Sequence, residues 1–333
     1  MNTESRQPGV ITDRRRWSAA ARQVPQLLRS GLIGLGIVLG GCQSRTAATT
    51  SPTPPPTAAV AMAVDATTQS IPAGATPVQI ALASTDLALG PERFAFAILT
   101  PGGNLIQYAA AKVTFLELDG DRAIPITTTV ATYFPARLDS AGLYVARHSF
   151  TKAGPWGAQI EAALVDGREI LPQRVRFTVQ EAPKAVGIGA SPPKTANRTV
   201  ADEPNLARLS SDPMPDPDFY QLTVEDAAAS GKPTVIVFAT PGHCSSRICG
   251  PVLDEVKVIK AAVGGAVNFI HIDVYREFSP LVLDEAMDIW GLKTEPWVYL
   301  VGADGLVAER LEGSVTAAEL GPLVNKLLKA PAP

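Results

Sequence analysis

Short runs of apolar residues separated by turn signals fill the chain from about residue 76 to 180. The runs cover 78–83, 94–99, 112–118, 124–132, 143–150, 156–164 and 174–179. Pro101-Gly102-Gly103, Asp119-Gly120, Ala141-Gly142 and Asp166-Gly167 punctuate them, which is the pattern of strands joined by tight turns. In the last run Val175, Phe177 and Val179 alternate with Arg174, Arg176 and Thr178, as expected of a half-buried strand. After about residue 212 the pattern changes. A continuous apolar run at 234–239 predicts a strand buried on both faces. Val252, Leu253, Val256 and Ile259 then recur at helical spacing. A strand over 267–273, a helix over 281–290 and a hairpin of 297–301 with 306–310 around Ala303-Asp304-Gly305 complete the series. Thr316 and Glu319 form a capping box before a last helix carrying Leu320, Leu323, Val324, Leu327 and Leu328, with Pro322 the one residue that fits it poorly.

Strands alternating with helices point to an α/β domain over 213–333. Seven short strands at regular spacing over 76–180 point instead to a β-sandwich of immunoglobulin-like type. No cysteine lies in that region, so such a sandwich lacks an inter-sheet disulfide. Two stretches break the periodicity. Residues 42–75 are rich in Thr, Pro, Ala and Ser, too poor in large apolar side chains to fold, and read as a semi-extended tether. Residues 181–212, rich in Pro, Ala, Lys and Asp, read as a linker. The net charge is −3, and residues 1–41 hold six Arg against two acids, which leaves −7 for the remainder. That balance offers no basic stripe for nucleic acid.

The N-terminus carries an address. Arg14, Arg15, Arg16, Arg22 and Arg29 precede the apolar run GLIGLGIVLGG at 31–41, which is shorter than the ~20 apolar residues of a membrane-spanning helix. The run ends in Leu39-Gly40-Gly41-Cys42, which resembles the lipobox of bacterial lipoproteins. That resemblance implies that residues 1–41 are a signal peptide and that Cys42 becomes a lipid-carrying N-terminus. The implied location is extracytoplasmic, with the chain anchored to the cell membrane through Cys42, where several acyl chains on one residue give stable attachment.

Three cysteines occur in all, Cys42, Cys244 and Cys249, so a single pair remains for other chemistry. The order strand, Cys, helix, strand, helix, Pro, hairpin, helix over about 217–329 resembles the thioredoxin family. Phe238-Ala239 before the first Cys carries the likeness, with Pro251-Val252-Leu253-Asp254-Glu255, Ile272-Asp273, Pro296, Gly305 and Gly313. The resemblance implies a cis-proline at Pro296, lining a groove for a partner's backbone with Glu295, Trp297 and His243. Two departures matter. The cysteines are spaced Cys-x4-Cys where the family has Cys-x2-Cys, and the family's buried acid aligns with Val237. On a continuous helix, residues five apart lie ~140° around the axis and ~7.5 Å along it, while disulfides seldom tolerate Cα separations beyond about 7 Å. Bridging therefore requires Cys244 to sit in the loop ahead of the helix. Proton transfer to the second thiol requires a group other than Val237, either Glu295 or water.

Three functional classes follow. In the first, the chain is a thiol–disulfide oxidoreductase acting on protein thiols or disulfides: Cys244, activated by the helix N-terminus and by His243 and Arg247, attacks, and Cys249 resolves. No cofactor is needed. In the second, two thiols with His243 or His271 hold copper, a soft ion, as in Sco-type copper chaperones. In the third, the fold is a docking module and the pair a structural staple. A loop this small yields ~2 kcal/mol of chain-entropy stabilisation before strain, a thin reason for the pair's presence.

Overall fold

The computed structural model describes residues 74–136 and 142–330. The signal segment, Cys42 and most of the tether lie outside the described residues. Seven strands come first: β1 (Gln79–Leu82), β2 (Gly90–Leu99), β3 (Ala110–Asp119), β4 (Arg122–Phe134), β5 (Leu143–Phe150), β6 (Gly154–Ala163) and β7 (Gln173–Val179). Their spatial order is β1-β2-β5-β4-β3-β6-β7, and every neighbouring pair is antiparallel. β4 joins the two halves of this order. Residues 122–131 pair with β3, and Thr132, Tyr133 and Phe134 pair with β5. The inward side chains meet in one core: Phe94, Phe96 and Ile98 of β2, Phe115 of β3, Tyr144 and Phe150 of β5, and Trp156 and Ile160 of β6. Val175, Phe177 and Val179, whose alternation the sequence shows, pack against the same interior. Phe94 on Phe115 (centroids 5.2 Å) and Phe150 on Trp156 (5.0 Å) pack edge to face, the geometry that ring quadrupoles favour.

The segment 181–212, expected as a linker, is laid along the rest of the chain. The Lys184 and Ala185 N–H groups donate to Asp86, Val186 N–H donates to the Trp290 carbonyl, and Asn197 bonds both Leu222 and Val224. Its Pro- and Ala-rich composition hides this because the anchoring is by backbone groups and the Asn197 amide rather than by an apolar stripe. Gly291 shows how close the approach is. A Cβ there would come within 2.1 Å of the Lys184 carbonyl oxygen, and φ is +68°. This segment also holds the one-turn helix α1 (Leu206–Leu209).

The remaining elements are α2 (Val224–Ala229), β8 (Thr234–Ala239), α3 (Cys249–Val263), β9 (Asn268–Asp273), β10 (Tyr275–Phe278), β11 (Leu281–Leu283), α4 (Glu285–Ile289), β12 (Trp297–Val301), β13 (Val307–Glu312) and α5 (Ala317–Lys329). Four of them form a sheet in the order β13-β12-β8-β9; β8 and β9 run parallel and the other pairs antiparallel. β8 is buried along its whole length, because both faces of the sheet are covered. Val235 and Val237 pack with Val252, Val256, Leu320 and Val324 of α3 and α5. Ile236 and Phe238 pack with Val224, Met287 and Trp290 on the other face. Thr316 caps α5 by accepting the Glu319 N–H, and Pro322 is accommodated inside that helix. The helix expected over 281–290 is shorter than the spacing suggested. Leu281–Leu283 instead pairs with β10 as a small hairpin, and only Glu285–Ile289 is helical. The apolar run Leu281-Val282-Leu283 serves either periodicity, and Pro280 just before it turns the chain back onto β10.

A buried polar joint ties the β-rich half to the α/β half. Arg93 of β2 donates through Nε and Nη2 to the Glu319 carboxylate at 2.7 and 2.8 Å. It also donates to the carbonyls of Glu312 and Ser314. Arg310 of β13 reaches back to Asp86 and Glu92, each at 2.7 Å. No described helix is long and apolar enough to cross a membrane.

Candidate functional site

β8 delivers the chain to Thr240, where a turn closes through His243 N–H to the Thr240 carbonyl. Gly242 is required here: a Cβ would meet the Ser211 carbonyl oxygen at 2.8 Å, and the Gly242 N–H donates to the Ser211 hydroxyl. Cys244 follows in the loop, and α3 begins at Cys249 with Ile248 as its N-cap. The inserted residues bend sharply, with Arg247 at φ +61°, a region that residues with a Cβ seldom enter. The bend folds the five-residue spacing back on itself, so that Cys244 and Cys249 approach to 2.6 Å. Both are free thiols; Cys249 is buried and Cys244 partly exposed.

The two sulfurs are electrostatically unlike. The Cys244 thiol is lowered to about 5, first by a hydrogen bond from the Cys249 thiol and, against its own burial, by the Ser246 hydroxyl and the amides of Cys249 and Ile248. Cys249 N–H to Cys244 Sγ is 3.4 Å and Ser246 Oγ to the same sulfur is 3.2 Å. An unpaired N–H of the first helical turn thus points at the developing anion. Cys249 is pushed well up, by donating to Cys244 and by burial. Glu295 completes the group. Its carboxylate oxygen and the two sulfurs all lie within 4.8 Å of one another, and its carboxyl is raised by burial and by the charge on Cys244.

The other residues singled out in the sequence fall into place around this cluster. The Glu295–Pro296 peptide is cis; Pro296 is buried, and its carbonyl accepts the Gly313 N–H at 2.9 Å. His243 is exposed and stacks on Phe278 of the β10–β11 hairpin, with centroids 5.5 Å apart. The contacts that stabilise the thiolate come from Cys249, Ser246 and amides, not from the His243 and Arg247 that the sequence suggested. Trp297 is a correction. It is only 3% exposed, stacks on Tyr299 and donates to the Thr294 hydroxyl, so it buttresses the strand rather than walling a groove. His271 lies outside the cluster: Nδ1 meets the Tyr220 hydroxyl at 2.7 Å and Nε2 the Ala239 carbonyl at 3.0 Å. Val237 is fully buried among apolar neighbours, so it offers no proton-transfer group. Tyr275 had no signal in the sequence; it lies close enough for its hydroxyl to be raised by burial and by the charges of Glu295, Asp273 and the two cysteines.

No known protein family and no curated protein matches the sequence. Among solved structures, the chain is similar to a thiol:disulfide interchange protein of the thioredoxin family from Chlorobium tepidum TLS. That likeness has 17% identity and a TM-score of 0.28, over 43% of this chain and 99% of the other. Chloroplastic thioredoxin z is similar at 18% identity and a TM-score of 0.27, over 32% of this chain and 88% of its own. CopC from Methylosinus trichosporium OB3b follows at 12% identity and 0.21, over 29% of this chain and 84% of that one. This is therefore a β-rich chain with thioredoxin-like structural neighbours.

Proposed function

We propose that this chain is a thiol–disulfide oxidoreductase acting on partner proteins, held extracytoplasmically on the membrane through lipid on Cys42. In this reading the first seven strands are an immunoglobulin-like β-sandwich and residues 213–333 a thioredoxin-like domain. The antiparallel order β1-β2-β5 and β3-β6-β7 supports the first assignment. The sheet order β13-β12-β8-β9, with β8 and β9 parallel, supports the second. One observation carries the function: a partly exposed thiol lowered to about 5 beside a buried thiol pushed up by it. A structural pair has no need of such a difference, whereas an attacking and a resolving thiol do.

The chemistry balances as follows. The Cys244 thiolate attacks one sulfur of a partner disulfide, forming a mixed disulfide and releasing the first partner thiolate. Cys249 gives its proton to the Glu295 carboxylate and attacks Cys244 Sγ, closing the Cys244–Cys249 bond and releasing the second partner thiolate. One partner disulfide gains two electrons and one dithiol here loses them; run backwards, the steps oxidise a partner.

The test is the pH dependence of alkylation. An ordinary thiol titrates near ~8.5. Because Cys244 is lowered, its thiolate persists from neutral pH down to about 5. Its alkylation rate should therefore be flat above about pH 6 and fall as pH drops through about 5, while Cys249 stays unreactive in the folded protein. An inflection of the Cys244 rate near pH 8.5 would remove the basis for this reading.

A second reading has an observation of its own. Two sulfurs and a carboxylate within 4.8 Å form a donor set for a metal such as copper, with Glu295 in place of the His243 or His271 expected from the sequence. One ion bound per chain, lost on replacing both cysteines, would favour it.

A further inference from the structure

The proton step proposed for Glu295 needs its carboxylate kept beside Cys249, and the hydrogen bonds of the residue before it, Thr294, lead out of the α/β half. We propose that Thr85, in the loop between β1 and β2, is a positioning residue for Glu295, acting through Glu312 and Thr294; this rests on the oxidoreductase reading. The Glu312 carboxylate is 7% exposed, and a buried carboxylate is tolerated only where donors occupy its lone pairs. Those donors come from two distant parts of the chain. Thr85 gives its N–H to Oε2 at 2.7 Å and its hydroxyl to Oε1. Thr294, the residue before Glu295, gives its hydroxyl to Oε1 at 2.8 Å. The Asp86 N–H adds a longer contact at 3.4 Å.

Thr294 is then fixed from both sides, because the same hydroxyl accepts the Trp297 indole N–H at 3.0 Å. The Pro296 carbonyl is held by the Gly313 N–H, next to the Glu312 carbonyl that Arg93 holds at 2.7 Å. The residues flanking Glu295 are thereby clamped to β13, and β13 is clamped to the β-rich half. That half thereby becomes a part of the thiol site. Loss of alignment by ~1 Å costs far more in a proton or group transfer than in stability, since reacting atoms must stay within ~3–3.5 Å.

The experiment uses the full chain with Thr85→Val and Thr294→Val, and Thr85→Ser and Thr294→Ser as conservative partners. Reduced protein is mixed with a small aromatic disulfide, and release of the first and second thiol is timed separately across pH. The expected result is that the valine variants slow the second release by about tenfold, part of the ~10²–10⁴ that a positioned acid–base group supplies, and shift its pH dependence. The first release and the Cys244 alkylation profile stay at wild-type values, and the serine variants recover. A second release unchanged in the valine variants, or both releases falling together with unfolding, overturns the proposal alone. A wild-type chain that releases only one thiol overturns the oxidoreductase reading and this proposal with it.

Discussion

Cys244→Ser should reduce exchange with a disulfide partner to background, and Cys249→Ser should stop it half-way as a stable mixed disulfide. The difference follows from the geometry. Cys244 is the thiol that meets solvent and carries the lowered pKa, so without it no first bond forms. Cys249 is buried and acts only on the sulfur beside it, so its loss leaves the partner attached. Intact mass spectrometry after mixing with a peptide disulfide reads both outcomes: no adduct for the first variant, a one-to-one adduct for the second. Glu295→Gln sits between them. It leaves the adduct forming at the wild-type rate and slows its resolution by roughly 10²-fold, the lower end of the effect of a general base. An adduct that resolves normally without Cys249, or a Cys244→Ser chain that still exchanges, contradicts the assigned order of attack.

Arg93→Ala is expected to destabilise the fold by about 3–5 kcal/mol, the cost of breaking a buried ion pair from one side. Arg93 and Glu319 side chains are 4% and 3% exposed, so removal of the guanidinium strands a carboxylate away from water. It also leaves the carbonyls of Glu312 and Ser314 without their donor. Arg93→Met combined with Glu319→Met recovers much of the loss, since the stranded charge is gone, but not the ~1–3 kcal/mol associated with unsatisfied buried polar groups. Urea unfolding of the three chains measures this. A single variant that loses less than about 1 kcal/mol, the worth of an exposed pair, would mean that the joint is open to water in solution.

The strands of both halves were legible because they rest on local periodicity. Phe94, Phe96 and Ile98 alternate along β2, and the unbroken apolar run of β8 reflects burial on both faces. The thiol site was legible in its parts, since Cys244, Cys249, Glu295 and Pro296 are chemically marked residues at a characteristic order. Ser246 and the positive φ of Arg247 were not, because the way an insertion folds back depends on the bonds it finds. The joint was invisible for a different reason. Arg93 and Glu319 are 226 positions apart, and no pattern along the chain pairs one buried charge with another at that distance. The linker expected at 181–212 likewise looked free because its ties are hydrogen bonds of its backbone and of scattered polar side chains such as Thr195 and Asn197. Ala185, Thr195 and Asn197 are buried parts of the α/β half, so a fragment beginning at 212 would lack pieces of its own core.

In the proposed function Cys244 and Cys249 are a reversible redox pair, and a redox titration of the full chain measures this most directly. Metal-free protein is equilibrated in buffers of graded potential, and the free thiols are alkylated and located by peptide mass spectrometry. The predicted result is reversible pairing of Cys244 with Cys249 and a midpoint above about −300 mV, beyond which structural disulfides lie. Two thiols that never pair at any potential, or a bond that yields only when the protein unfolds, would contradict it.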